Sequence, residues 1–165
     1  MSLFLTAKKY VEKPSDIDAM TAFMEELAQE KSVEEIKKIL PLDFERVAGP
    51  ALLRLADLLP FDVELMLSIA LWYYHFGLDD DAHKYLERAK AVAAVDLRVL
   101  QIEIFLSYGN DPDYILSLSQ SALSLFPDDE WLLAIKQKIE QTGQLAELNG
   151  PPLSLSWQKL LVAAY

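Results

Sequence analysis

The stretch YHFGLDDDAHKYLERA, residues 73–88, holds residue types that often do chemistry. His75 and His83 flank three consecutive aspartates, residues 79–81. Histidine titrates near neutral pH, and both imidazole and carboxylate groups bind metal ions. A calcium loop needs alternating acids, a central glycine and a closing glutamate, however, and a zincin-like site needs two histidines four residues apart on one helix. Neither spacing is present, so we interpret the aspartates as a helix start and expect no metal here.

Other catalytic patterns are also missing from the sequence. The five glycines are isolated, so they form neither a nucleophile elbow nor a phosphate-binding loop. Adjacent acids such as Glu25–Glu26 and Glu34–Glu35 diverge on a helix instead of converging on a substrate. With no cysteine, disulfides and thiolate metal sites are excluded. We therefore expect no catalytic residue, no cofactor and no enzyme activity within these residues.

Composition narrows the partners that the chain could bind. The 165 residues are 52% hydrophobic, and 26 acids against 15 bases give a formal net charge of −11. No basic stripe is available to displace the counterions of a nucleic acid, so nucleic acids and anionic membranes are excluded as main partners. The acidity favours solubility or the attraction of a basic protein. No apolar run approaches the roughly 18 residues of a membrane helix, and we expect a cytoplasmic protein.

Helical periodicity covers almost the whole chain, with apolar residues at i, i+3 and i+4 and no sustained alternation. We predict an all-α fold. Ser15 or Asp16 caps a helix that runs to about Gln29, and residues 32–35 form a capping box. Gly49–Pro50 begins a helix that ends at Leu59, and Asp111 caps a helix that starts with Pro112. The predicted apolar face of the first of these helices consists of Ile17, Met20, Met24 and Leu27.

A repeat then becomes visible. The aspartates at positions 62, 96 and 129 are 34 and 33 residues apart, and the glycines at positions 77, 109 and 143 are 32 and 34 apart. Each unit therefore reads as an aspartate cap, a helix, a glycine turn and a second helix. Glycine can adopt the left-handed conformation that closes the first helix. We also assign one of the aspartates at positions 79–81 as the cap of a second helix.

The apolar positions of these units resemble the tetratricopeptide repeat, roughly over residues 61–148. The first unit matches the pattern at Met66, Ile69, Ala70, Tyr73, Gly77, Ala82, Leu86, Ala89 and Ala94. The second unit matches at Val99, Ile102, Leu106, Ile115, Ala122 and Pro127, with Glu103 and Ser119 departing from the pattern, and the third at Leu132, Ile135, Ile139 and Gly143. The resemblance implies a superhelix of stacked helical hairpins, with about two and a half repeats and a divergent helical region over residues 1–60.

The end of the sequence, residues 153–165, looks like the first helix of a further unit. Trp157, Leu160, Leu161 and Ala164 would form its apolar face. Two interpretations remain open: the chain is the amino-terminal piece of a longer protein, or this segment is a native capping helix. An exposed Trp157 face would also suit a homodimer.

In the tetratricopeptide family, first-helix residues line a concave groove. Two interpretations of that surface stand here: an apolar or amphipathic protein segment, with basic character as an open option, docks there, or the chain's own amino-terminal helices cover it. The leading hypothesis is therefore a non-catalytic scaffold for protein–protein interaction. The alternative is the amino-terminal repeat region of a larger enzyme, such as an O-linked N-acetylglucosamine transferase-like enzyme or a methyltransferase. The groove positions that the resemblance implies are Leu67, Leu71, Tyr74, His75, Leu100, Gln101, Ile104, Tyr108, Leu133 and Gln137.

Overall fold

The computed structural model describes residues 1–145, 149–152 and 155–162. Within these residues every regular element is an α-helix, as predicted, and none of the helices combines the length and apolar character needed to cross a membrane. The helices are α1 (Leu3–Glu12), α2 (Ile17–Gln29), α3 (Val33–Ile39), α4 (Ala48–Leu58), α5 (Val63–His75), α6 (Asp79–Ala93), α7 (Leu97–Leu106), α8 (Pro112–Leu125), α9 (Glu130–Thr142) and α10 (Ser156–Val162).

The chain divides into two compact units. Unit 1 comprises residues 1–72 and 154–165, and unit 2 comprises residues 73–153, so the division falls inside α5. The predicted divisions, 1–60, 61–148 and 153–165, followed the repeat period instead, and they stay predictions. Parts of that last segment, residues 153, 154 and 163–165, lie outside the described residues. The predicted stacking into a superhelix also stays a prediction.

Unit 1 is built around α1 to α4. Helix α1 packs on α2 and α3, and α4 packs on α2 and α3. Tyr10 of α1 stacks on Phe23 of α2 with ring centroids 5.7 Å apart. Burial of these apolar faces supplies the main driving force for folding. The largest fully buried side chains on α2, α3 and α4 and directly after α3 are Phe23, Ile36, Ile39, Leu40, Leu52 and Leu55.

The predicted inner face of α2 was wrong in part. Leu27 is buried, but Ile17, Met20 and Met24 are between 40% and 71% exposed. The buried face is Ala19, Phe23 and Leu27. Both sets of residues have helical spacing. The structure buries the set that contains Ala19 and Phe23, because Tyr10 of α1 stacks on the Phe23 ring. Met24 instead lines a surface cavity of about 310 Å³ beside α4.

Unit 2 is a succession of helices in which α6 packs on α7, α7 on α8 and α8 on α9. The connections between them are short, as in antiparallel helical hairpins. Most of the apolar positions that the sequence predicts for a core are buried, and Tyr73 is half-buried. Ala94 and Pro127 are the exposed exceptions. The predicted core positions that are buried are Met66, Ile69 and Ala70, which belong to unit 1, and, in unit 2, Ala82, Leu86, Ala89, Val99, Ile102, Leu106, Ile115, Ala122, Leu132, Ile135 and Ile139.

The two departures from the repeat pattern are satisfied by polar contacts. Glu103 lies 2.8 Å from the ammonium group of Lys90, which joins α7 to α6. This hydrogen bond raises the pKa of Lys90, against the opposing effect of burial. Ser119 is fully buried, and its hydroxyl donates to the carbonyl of Ile115 at 2.8 Å. A buried polar group with a partner avoids the cost of losing its hydrogen bonds to water.

The predicted aspartate caps at positions 62, 96 and 129 are confirmed. The carboxylates of Asp62, Asp96 and Asp129 accept from backbone N–H groups in the first turns of α5, α7 and α9. The cap of α6 was predicted wrongly. Its N-cap is Leu78, and the three aspartates occupy the first turn, where negative charge stabilises the helix end.

Leu78 is the N-cap of α6 because of the turn between α5 and α6. Gly77 has a φ of +71°, and the N–H of Leu78 donates to the carbonyl of Tyr73 at 3.0 Å. This arrangement is a Schellman motif, and it leaves Leu78 as the last residue before α6 begins. Gly143 closes α9 in the same left-handed region, as predicted. Gly109 does not have a positive φ, because α7 ends in successive turns through Tyr108.

The predicted capping box at α3 is only half formed. The hydroxyl of Ser32 accepts from the N–H of Glu35 at 3.3 Å. The return bond is made by Glu30, whose carboxylate accepts from the N–H of Ser32 at 2.8 Å. The carboxylate of Glu35 pairs with Lys38 instead. Glu30, two residues before Ser32, therefore accepts the bond from the Ser32 N–H that a capping box assigns to Glu35.

Candidate functional site

A row of aromatic side chains runs through unit 2, and we call it the aromatic surface: Tyr74, Phe105, Tyr108 and Trp131. The ring of Phe105 meets Tyr74 and Tyr108 edge-on, each at 5.3 Å between centroids. Tyr108 then stacks on Trp131 at 6.4 Å, with the rings within 18° of parallel. Edge-on and offset stacked rings are favourable arrangements. The end of α5, α7, the turn after it and the first turn of α9 therefore share one aromatic row.

Capping and hydrogen bonds hold this row in place. Asp129 caps α9 by accepting from the N–H of Leu132 at 2.8 Å, which fixes the turn that carries Trp131. Its second carboxylate oxygen accepts from the side-chain amide of Gln101 at 3.1 Å. Asp129 thus joins α7 to the start of α9. A core shared by α7, α8 and α9 lies beneath, and both Tyr108 and Trp131 pack against it.

A non-helical segment of the same chain lies on the aromatic surface. We call it the strap, residues 149–152, with the sequence NGPP. The carbonyl oxygen of Asn149 accepts from the indole Nε1–H of Trp131 at 3.1 Å and from the Tyr108 hydroxyl at 3.4 Å. A methyl group added at Gly150 would lie 3.4 Å from the ring of Phe105, so this backbone rests directly on the ring.

The hydroxyl of Tyr108 is held in its protonated, donating form. Burial raises the pKa of Tyr108 to about 12, and the nearby Tyr74 adds to the effect. Removal of the ring from water penalises the phenolate, which could not donate a hydrogen bond. Tyr108 therefore presents a permanent donor to a main-chain carbonyl at any ordinary pH.

The predicted groove residues differ in their exposure to solvent, from buried through half-buried to exposed. Tyr74 and Tyr108 belong to the aromatic surface, which the structure brings together through Phe105. Ile104 belongs to the core of unit 2, so its side chain is not available as a docking contact. In order of increasing exposure, Leu67, Gln101 and Ile104 are buried, Leu71, Tyr74, Leu100 and Tyr108 are half-buried, and His75, Leu133 and Gln137 are exposed.

The sequence analysis missed Phe105, Trp131 and the strap. Trp131 lies directly after Glu130, in the first turn of the third repeat, and the aromatic residue there was a usable signal. The sequence analysis assigned residues 149–152 to no site. Consecutive prolines favour an extended polyproline conformation, which aromatic surfaces recognise. That property would have suggested a connection between the segment and the tyrosines.

The sequence of unit 2 is acidic. Residues 73–153 contain 13 acids against 6 bases, a formal net charge of −7. Asp128, Asp129 and Glu130 directly precede Trp131 in the chain. The strap itself contributes no cation. A net charge of this sign attracts positively charged groups in general.

The two histidines of residues 73–88 contact nearby residues of the same chain. The Nδ1 atom of His83 lies 2.8 Å from the carbonyl of Asp79, one turn back on α6. His75, at the end of α5, meets Phe76 edge-on at 5.1 Å. Among the described residues, no group of three or more histidine and acidic side chains is placed to hold a metal ion.

Trp157 in α10 is buried within unit 1, at 6% exposure. The Lys37 ammonium group lies 5.1 Å from the centre of its ring, and the Ser156 hydroxyl donates to Glu64 at 2.7 Å. A homodimer through the Trp157 helix would have to displace these contacts, and it stays a prediction. Leu161 and Ala164, which were predicted for the same face, are not described by the structure at the level of side chains.

Comparison of the chain with protein-family models, with curated proteins and with solved structures found no match. The tetratricopeptide resemblance therefore stays an interpretation of the sequence. The assignment of a function rests on the geometry of unit 2.

Proposed function

We propose that this chain is a non-catalytic, tetratricopeptide-like interaction module that binds a segment of a partner protein on the aromatic surface of unit 2. One observation carries the proposal: the Tyr108 hydroxyl and the Trp131 indole N–H together hold a main-chain carbonyl, that of Asn149. Tyrosine and tryptophan combine a large apolar area with a polar tip, which is why they are enriched at protein interfaces.

The proposal shifts the anchor residues from leucine and isoleucine to aromatic side chains. Ile104 and Leu67 are buried, so they support the fold. Tyr108 and Trp131 keep part of their rings and both of their donors at the surface of the core. A main-chain carbonyl is a feature of every peptide, so these donors supply affinity while the rings and the acidic residues of unit 2 supply selectivity.

The test removes the two donors and keeps an aromatic ring at each position. In the double variant Tyr108→Phe, Trp131→Phe, each ring still packs on the core, and the far-ultraviolet circular dichroism should be unchanged. Each lost hydrogen bond is worth about 1 kcal/mol, so the affinity for a captured partner should fall by about tenfold or more.

Tyr114→Phe is the matched control, because Tyr114 lies on α8, is 49% exposed and contributes no ring to the aromatic surface. Partners recovered from the native cell should be retained by this control and depleted by the double variant. Equal recovery on both variants and on the unmodified chain would overturn the proposal.

A further inference from the structure

The strap shows what kind of segment the aromatic surface accepts. It is non-helical, it contains Pro151 and Pro152, and it meets the surface with a carbonyl oxygen and with a glycine backbone. A polyproline conformation makes no internal hydrogen bonds, so all of its carbonyls are available as acceptors. The surface offers the complementary groups, which are two fixed donors and flat rings.

The strap nevertheless does not complement the negative charge of unit 2. It has no cation, whereas unit 2 has a formal net charge of −7 and three consecutive acids precede Trp131. A segment with the same backbone but with flanking lysine or arginine would gain attraction that the strap does not have. A second copy of this chain would bring the same strap and a like charge of −11, so charge disfavours it as the occupant.

We infer that the aromatic surface recognises an extended, proline-containing segment with flanking basic residues, in a protein other than this one, and that the strap occupies the same position until that segment displaces it. This inference rests on the proposed function and names the class of partner. The strap is tethered, so its effective concentration is of millimolar order, and the partner's apparent affinity is reduced by the fraction of molecules in which the surface is closed.

Synthetic peptides test the ligand class on the full chain. The first has the sequence KKNGPPLKK, the second replaces its lysines with glutamates, and the third replaces its two prolines with alanines. The readout is the indole N–H resonance of Trp131, assigned by its loss in Trp131→Phe. The basic proline peptide should shift this resonance to saturation, with an affinity that falls at high salt. The other two should bind at least about tenfold more weakly.

Variants of the strap test displacement. Gly150 has no left-handed φ, and a methyl group there would be in ordinary contact with Phe105, so Gly150→Ala should leave the strap in place. The branched side chain of Gly150→Val would meet the ring and lift the strap. We expect the basic peptide to bind Gly150→Val severalfold more tightly than either Gly150→Ala or the unmodified chain.

Each outcome separates this inference from the proposed function. Equal binding of the three peptides, or no shift of the Trp131 resonance, overturns the inference, and the proposed function survives if partner capture still needs the two donors. A tighter Gly150→Val complex supports displacement, and an unchanged or weaker one overturns it. A concentration-dependent dimer that Gly150→Val abolishes would make a second copy the occupant and would also overturn the inference.

Discussion

Gly49, in the first turn of α4, should resist replacement by alanine although it lies in a helix. The indole of Trp72 packs over it, and its Nε1–H donates to the carbonyl of Phe44 at 3.0 Å. A methyl group at Gly49 would lie 2.5 Å from Cη2 and 2.6 Å from Cζ2 of Trp72, whereas carbon atoms pack best at roughly 3.5–4.0 Å. The ring would have to move away from both α4 and Phe44.

The magnitude follows from two opposing terms. Alanine in place of a helical glycine contributes about 0.5–1 kcal/mol of stability through backbone entropy. Overpacking costs about 1–3 kcal/mol, and displacement of the indole weakens a hydrogen bond worth about 1 kcal/mol. We therefore expect Gly49→Ala to lower the free energy of unfolding by about 1–2 kcal/mol, instead of raising it.

Urea unfolding followed by circular dichroism measures this change, and hydrogen exchange at the amides of α4 assigns it to unit 1. Gly109→Ala is the matched control, because nothing lies within 4 Å of the added methyl group and the backbone has no positive φ. That variant should be unchanged or stabilised by up to about 1 kcal/mol.

A double-mutant cycle identifies the cause. Trp72→Phe removes the atoms that the methyl group would meet, so Gly49→Ala should cost much less in that background, with a coupling energy of about 1 kcal/mol. The reasoning is refuted if Gly49→Ala is as stable as the unmodified chain. It is also refuted if the loss is the same with tryptophan and with phenylalanine at position 72.

Three further predictions concern unit 2. The Glu103 hydrogen bond raises the pKa of Lys90 above its ordinary value of 10.5. The pair therefore stabilises the fold below pH 10.5, and this contribution is lost as the pH rises above that value. Glu103→Gln should flatten the resulting decline in the free energy of unfolding, measured with urea. Burial raises the pKa of Tyr108 to about 12, so stability should also fall from pH 10 towards about 12, and Tyr108→Phe should remove that part of the decline together with one phenolate step in ultraviolet titration. Asp129→Ala loses both the cap and the Gln101 bond and should cost about 1–2 kcal/mol in thermal or urea unfolding, whereas Asp128→Ala should stay within about 0.5 kcal/mol. An equal effect of the two aspartate variants would contradict the assigned cap.

The aromatic surface was predictable only in part. Tyr74 and Tyr108 were predicted as groove residues because the family resemblance assigns them to one face of successive first helices. Ile104 was assigned to the same face, but the structure places it in the core of unit 2. A helix buried on more than one side has no polar stripe to mark which apolar residues remain accessible. The inner face of α2 was assigned wrongly for a different reason: two sets of apolar residues have helical spacing, and the contact with Tyr10 of α1 decides which set is buried.

The strap could not be located by the same reasoning. Asn149 is 41 residues from Tyr108 and 18 from Trp131, and no periodicity relates a non-helical segment to the surface on which it lies.

The contact between Gly49 and Trp72 also joins residues that are distant in the sequence. Gly49 was predicted to begin a helix, and in the structure it lies in the first turn of α4, but the sequence did not show that it makes room for Trp72.

The sequence by itself determined the all-helical class, the aspartate starts of three helices and the glycine corners at positions 77 and 143. These features depend on bonds between residues a few positions apart, so local composition is sufficient to specify them. The tertiary structure decided which stripe of α2 is buried, that α10 buries Trp157 against Lys37, and that residues 149–152 lie on the aromatic surface. Those outcomes depend on competition among distant groups for the same apolar area and the same donors, and a single sequence does not show which competitor wins.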